Sequence, residues 1–179
     1  ELAEALQHVE VATALYRQLG TLNSTCRVLS LAADITLDLA ESMHGADGAD
    51  GADGEARTAR EDYLMQASNY IEEALRVGLA AHDAEGSALA RLSRARLAGV
   101  RGDSAGFSGP EADIREALRQ ARQLHDDSLM AAAQTALGNN LLAQKKTEMG
   151  KRWLNKAIAT ATGANAPGLA FRAQRSLRR

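Results

Sequence analysis

Apolar side chains recur three and four positions apart along most of this chain, the spacing that places them on one face of an α-helix. Leu2, Ala5, Leu6, Val9, Ala12, Tyr16 and Leu19 predict a helix over 2–19, closed by Gly20 as a C-terminal glycine. Asn23 or Ser24 is the expected cap of a second helix reaching Met43 through Val28, Leu31, Ala32, Ile35, Leu37 and Leu39. Tyr63, Leu64, Ala67, Ile71, Ala74 and Leu75 predict a third over 57–79, followed by one over 87–100. Pro110 suits the first turn of a helix running to Leu124 through Ile114, Ala117, Leu118 and Ala121. With Asp127 as expected cap, further helices follow over 128–144, 147–162 and 166–178. The triplet run GADGADGADG (45–54) buries nothing and predicts a flexible loop over 45–56; GDSAGFSGP predicts another over 102–109.

Composition sharpens this to an all-α fold. Hydrophobic residues make up 45% of the 179 and aromatics only 3%, two prolines interrupt little, and the abundant Ala, Leu, Arg, Glu and Gln are good helix formers. Period-two runs of β-branched residues are missing, so a sheet has little to build on. The lone Cys26 cannot form an intrachain disulfide, and no apolar run approaches the roughly 18 residues of a membrane span. An intracellular setting, cytoplasmic or nuclear, is expected, with no membrane partner. The chain starts and stops inside helical patterns and reads as a segment of a longer protein. Net charge is −2, but residues 1–109 carry 17 acidic and 9 basic side chains whereas 110–179 carry 6 and 12. Such polarity can steer charged partners, although ordinary solvated helix faces are the commoner source of such a pattern.

The most informative stretch is 134–162. Leu137-Gly138 is followed three residues later by Leu141, and then by Gly150, Leu154 and Ala157 on the next helix. Small residues at Gly138 and Gly150 permit two helices to cross closely while Leu137 and Leu154 fill the space beside them. This spacing resembles a tetratricopeptide repeat, with departures at Gln134, the usual tryptophan, and Thr162, where proline often ends the unit. The second-helix pattern of small, large and small residues recurs as Ala5/Val9/Ala12, Ala67/Ile71/Ala74 and Ile114/Leu118/Ala121; Leu31-Ala32 and Arg94-Ala95 match the first helix. The resemblance implies a right-handed α-solenoid of about eight antiparallel helices. Its irregular units are similar to tetratricopeptide subunits of large eukaryotic assemblies, such as the fungal cohesin-loading factor and scaffold subunits of the anaphase-promoting complex. They are equally similar to the sensory solenoids of bacterial transcription regulators.

In such a family the first helices line a concave groove. Carried onto this sequence, the groove positions are Leu29 and Ala33, then Leu92 and Arg96, then Thr135 and Asn139. Asn139 matches the asparagine with which chaperone-tail-binding repeats grip a peptide, but Leu29, Leu92 and Thr135 stand where that clamp needs lysines. A partner helix or extended peptide of another protein is therefore expected; the alternative is a regulatory region that binds a peptide or small ligand. Lys145, Lys146, Lys151, Arg152, Arg172, Arg175, Arg178 and Arg179 could meet an acidic partner. With no interleaved aromatics, nucleic acid is not expected. His8, His44, His82 and His125 are scattered, Asp47, Asp50 and Asp53 fit no calcium-loop pattern, and neither a phosphate loop nor a nucleophile elbow is present. No enzyme activity, metal or cofactor is expected, and Trp153 reads as a packing residue.

Overall fold

The computed structural model describes residues 1–43, 53–102 and 109–178. Within them lie eight helices and no strand: α1 (Leu2–Gln18), α2 (Leu22–Met43), α3 (Asp53–Ala80), α4 (Ala84–Arg101), α5 (Gly109–Leu124), α6 (Asp127–Ala143), α7 (Thr147–Gly163) and α8 (Pro167–Leu177). Two compact units divide the chain, Glu1–Ser93 and Arg94–Arg179, with the division inside α4. The fold is an all-α helical repeat. Helices predicted from periodicity appear at the predicted places, with three local corrections. α2 starts at Leu22, so Asn23 and Ser24 lie inside it rather than capping it. α3 starts at Asp53, taking 53–56 out of the predicted loop. Glu55 favours the positive end of the helix there, and Thr58 Oγ donates to the Gly54 carbonyl at 2.8 Å. The cap of α6 is Asp126, one residue before the expected Asp127; its carboxylate accepts from the Leu129 amide at 2.9 Å. The predicted loop segments 45–52 and 103–108 lie outside the described residues.

The short turns share one geometry. Gly20, His82, His125, Lys145 and Asn165 each end a helix with a positive φ, between 53° and 68°. In each case the following amide donates back across the turn: Thr21 to Tyr16, Asp83 to Gly78, Asp126 to Ala121, Lys146 to Leu141 and Ala166 to Ala161, all at 2.9–3.1 Å. This is the Schellman closure, which satisfies the last carbonyls of one helix and reverses the chain into the next. It also accounts for two of the four histidines, His82 and His125, as turn residues.

Within each unit, helices pack on their neighbours, and next-but-one contacts join α1 to α3, α2 to α4 and α6 to α8. In the first unit, Arg17 of α1 donates to both Glu73 carboxylate oxygens on α3 at 2.6 Å, and Tyr70 of α3 donates to Glu10 of α1 at 2.6 Å. From α2, Arg27 reaches Glu85 of α4 at 2.6 Å, and Asp34 accepts from Ser93 at 3.0 Å. In the second unit α6 packs on α5, α7 and α8. Alanine makes up half of the buried apolar residues described, and none is aromatic, so these helices must lie close together. Buried Thr13, Thr25, Ser30 and Thr36 satisfy their hydroxyls on carbonyls four residues back in their own helices.

Close approach is tightest between α6 and α7. A Cβ placed on Gly138 would stand 2.7 Å from Leu154 Cγ and 3.1 Å from the Gly150 carbonyl oxygen. One placed on Gly150 would stand 2.8 Å from Leu142 Cγ and 2.9 Å from the Gly138 carbonyl oxygen. Leu137, Leu141, Leu154 and Ala157 are buried around this crossing, as their spacing predicts. Gln134, in place of an aromatic, is buried and accepts from Thr160 of α7 at 3.0 Å, a polar tie across the same helix pair.

The first unit holds a second crossing that the repeat pattern did not reveal. Cys26 of α2 is fully buried, and its thiol donates to the Ala74 carbonyl of α3 at 3.1 Å. A Cβ on Gly78 would lie 2.9 Å from its sulfur, and one on Gly86 of α4 would lie 2.7 Å from it. Gly78 and Gly86 thus let three helices converge on one sulfur. Asp83 caps α4 beside them, accepting from the Gly86 amide at 3.0 Å. Burial, and then the nearby Asp83 charge, push the Cys26 thiol up to about 11.

Four outcomes follow. Gly150→Ala destabilises the fold by ~1–3 kcal/mol although alanine is the better helix former, because its methyl meets backbone. Gly99→Ala, on an exposed stretch of α4 with nothing within 4 Å, is neutral or stabilising by up to ~1 kcal/mol; thermal denaturation of the pair checks the contrast. Lys145→Gly raises the melting temperature by an amount equivalent to ~0.5–1 kcal/mol, since glycine adopts the positive φ without Cβ strain. Cys26 resists alkylation by iodoacetamide at neutral pH in the native protein and reacts once the chain is unfolded; equal rates in both states would contradict the buried, protonated thiol.

Candidate protein-binding surfaces

The predicted groove residues separate by unit and by depth. Leu29 and Ala33 are fully buried in the first unit, Leu29 in a cluster with Cys26, Ala74, Val77 and Ala90, so neither presents surface to a partner. The assignment fails by rotation about the α2 axis. Successive residues turn a helix by about 100°, so Leu29 and Ala33 lie about 200° around the axis from Leu31 and Ile35, two positions on, and face the core. The exposed apolar face of α2 is instead Val28, Leu31 and Ile35, spaced three and four apart; Leu31 is 47% exposed and its two neighbours are half-buried. Leu92 of α4 is also buried, with only 9% of its surface accessible.

In the second unit, Arg96 and Thr135 are half-buried and Asn139 is exposed. Thr135 spends its hydroxyl on the Ala131 carbonyl of its own helix at 2.9 Å. Four residues on, Asn139 offers its amide to solvent from the same face of α6. These two residues are the part of the sequence-derived groove that remains together at a surface.

The basic residues are exposed and arranged in two groups within the second unit. Lys145 and Lys146 occupy the α6–α7 turn, and Lys151 and Arg152 follow on the first turns of α7. Arg172, Arg175 and Arg178 lie along α8 at a spacing of three, while Arg179 is outside the described residues. Trp153 is half-buried on α7, and Lys156 Nζ sits 5.2 Å from its ring centroid, a cation–π contact.

Beside the α4–α5 contact is an indentation of about 260 Å³ lined by Arg94, Ala98, Gly109, Pro110 and Asp113. Arg94 grips Asp113 through two hydrogen bonds of 2.6 and 2.7 Å, and this bond is the chief reason its guanidinium is held above its usual range. The two polar groups of the indentation are therefore committed to each other, and its volume falls below the ~300 Å³ at which small-molecule sites begin. Among the described residues no three His, Cys, Asp or Glu side chains gather as a metal site; His8 is exposed on α1, and His44, Asp47 and Asp50 lie outside those residues. No described helix is long and apolar enough to cross a membrane.

No protein-family model matches this chain. No curated protein matches it either. Among solved structures it is similar to the de novo designed helical repeat protein DHR81, at a TM-score of 0.54 and 20% identity, over 99% of this chain and 88% of that one. Likeness at that identity concerns the fold alone: a helical repeat.

Proposed function

We propose that this chain is a tetratricopeptide-like interaction module that works by binding another protein rather than by turnover. The close α6–α7 crossing at Gly138 and Gly150 supports the tetratricopeptide reading, because those two positions carry the motif's small residues. Its binding surface in the first unit is the exposed first-helix face of α2, and the observation that carries this is Leu31, 47% exposed between half-buried Val28 and Ile35. An aliphatic stripe of that width fits the apolar face of a partner helix or alternate side chains of an extended peptide. Helical repeats present side chains this way because each unit contacts only its neighbours, leaving one row of helices facing outward along the stack. In the second unit, Asn139 supplies a polar contact on the corresponding first-helix surface of α6.

Affinity capture followed by mass spectrometry tests the proposal. Leu31→Glu is expected to weaken the captured partner's affinity by ~10-fold or more, the loss typical of a central interface residue, with helicity and melting temperature unchanged. Asn139→Ala is expected to have a smaller effect. Unchanged binding by Leu31→Glu would remove α2 from the interface.

A further inference from the structure

The helices at the two ends of the described chain carry complementary faces. On α1, Val11, Leu15 and Leu19 repeat at every fourth position and are 60%, 53% and 72% exposed. The adjoining positions Ala5, Val9 and Ala12 are only half-buried, whereas the equivalent residues of α3, α5 and α7 are buried. Glu1 and Glu4, both exposed, precede this aliphatic face at the N-terminal end of the helix. On α8, Ala173 is buried and Phe171 is 64% exposed. Arg175 and Arg178 follow Phe171 four and seven positions later, placing all three on the face turned away from Ala173. Charge follows the same division: before Arg94 the chain has 16 acidic and 6 basic side chains, and from Arg94 onward it has 7 acidic and 15 basic.

We propose that these two faces bind each other between copies of the chain, α1 of one molecule docking antiparallel on α8 of the next. Antiparallel docking sets Glu1 and Glu4 against Arg175 and Arg178, and the α1 aliphatic stripe against Phe171; parallel docking would set the acidic end against the uncharged start of α8. Helix order agrees. α8 follows α7 as a first helix follows a second, and α1 precedes α2 as a second precedes a first, so α8 and the next copy's α1 continue the alternation. The contact is heterologous, so each copy keeps one free face after pairing and assembly passes beyond the dimer.

Sedimentation velocity and light scattering on the whole chain test this, from micromolar to submillimolar concentration and at low and high salt. The wild type is expected to grow in mass with concentration, more at low salt. Leu15→Glu and Phe171→Glu, each at an exposed position, are each expected to stay monomeric with unchanged circular dichroism. Mixed in equal amounts they are expected to form a dimer that grows no further, because the first retains α8 and the second retains α1. A wild type that is monomeric throughout would overturn the proposal. So would a Phe171→Glu variant that assembles like the wild type, which would indicate a symmetric α1 contact, or a mixture that stays monomeric.

Discussion

Two helix backbones in contact without side chains between them set the terms for the rest of this molecule. Where α6 crosses α7, Gly138 and Gly150 bring each chain's carbonyl to the other's Cα, and the flanking Leu154 and Leu142 close over the crossing. A methyl group at either glycine has nowhere to go, so the interaxial distance is fixed by backbone and the surrounding core must be thin. Alanine fills it, and aromatic residues stay out. The same economy operates in the first unit, where Gly78 and Gly86 admit the Cys26 sulfur between three helices. Dispersion at such short range substitutes for the bulk that larger side chains would supply.

Local closure of the turns complements close packing. Each short connection uses one residue at positive φ and one amide reaching back across the helix end, so successive hairpins differ little in their connections. Residues of several kinds occupy the left-handed position, including two histidines and a lysine, which shows that the backbone arrangement dominates over side-chain identity there. Polar ties such as Arg17 with Glu73 and Arg94 with Asp113 then lock particular helix pairs in register, contributing less to stability than to alignment where they are exposed.

Much of this was legible in the amino-acid order. The periodicity of Leu2 through Leu19, or of Ile114 through Ala121, is a direct image of one buried helix face, and Gly138 and Gly150 announce their crossing by their spacing. Helix starts were less legible, because Asp126 and Asp127 are chemically equivalent caps and only the turn's hydrogen bonds choose between them. Gly78 and Gly86 escaped notice because their partner, Cys26, is about fifty residues away and no local spacing links them. The groove suffered most. Leu29 and Leu31 are the same amino acid two positions apart on α2; burial against Ala74 and Val77 distinguishes them, and that is a tertiary fact. Exposure of α1 and Phe171 is similarly invisible in the pattern, which marks a residue as apolar without saying what covers it.

The tetratricopeptide-like reading on which the proposed binding role rests depends on the α6–α7 crossing being real backbone contact. A double-mutant cycle on Gly138→Ala and Leu154→Ala, read by chemical denaturation, tests that contact most directly. If the alanine methyl at 138 occupies space vacated by Leu154, the double variant is more stable than the sum of the single losses predicts, by about 1 kcal/mol or more. Losses that add to within ~0.5 kcal/mol would mean the two positions do not touch, and the account of the fold would be wrong at its centre.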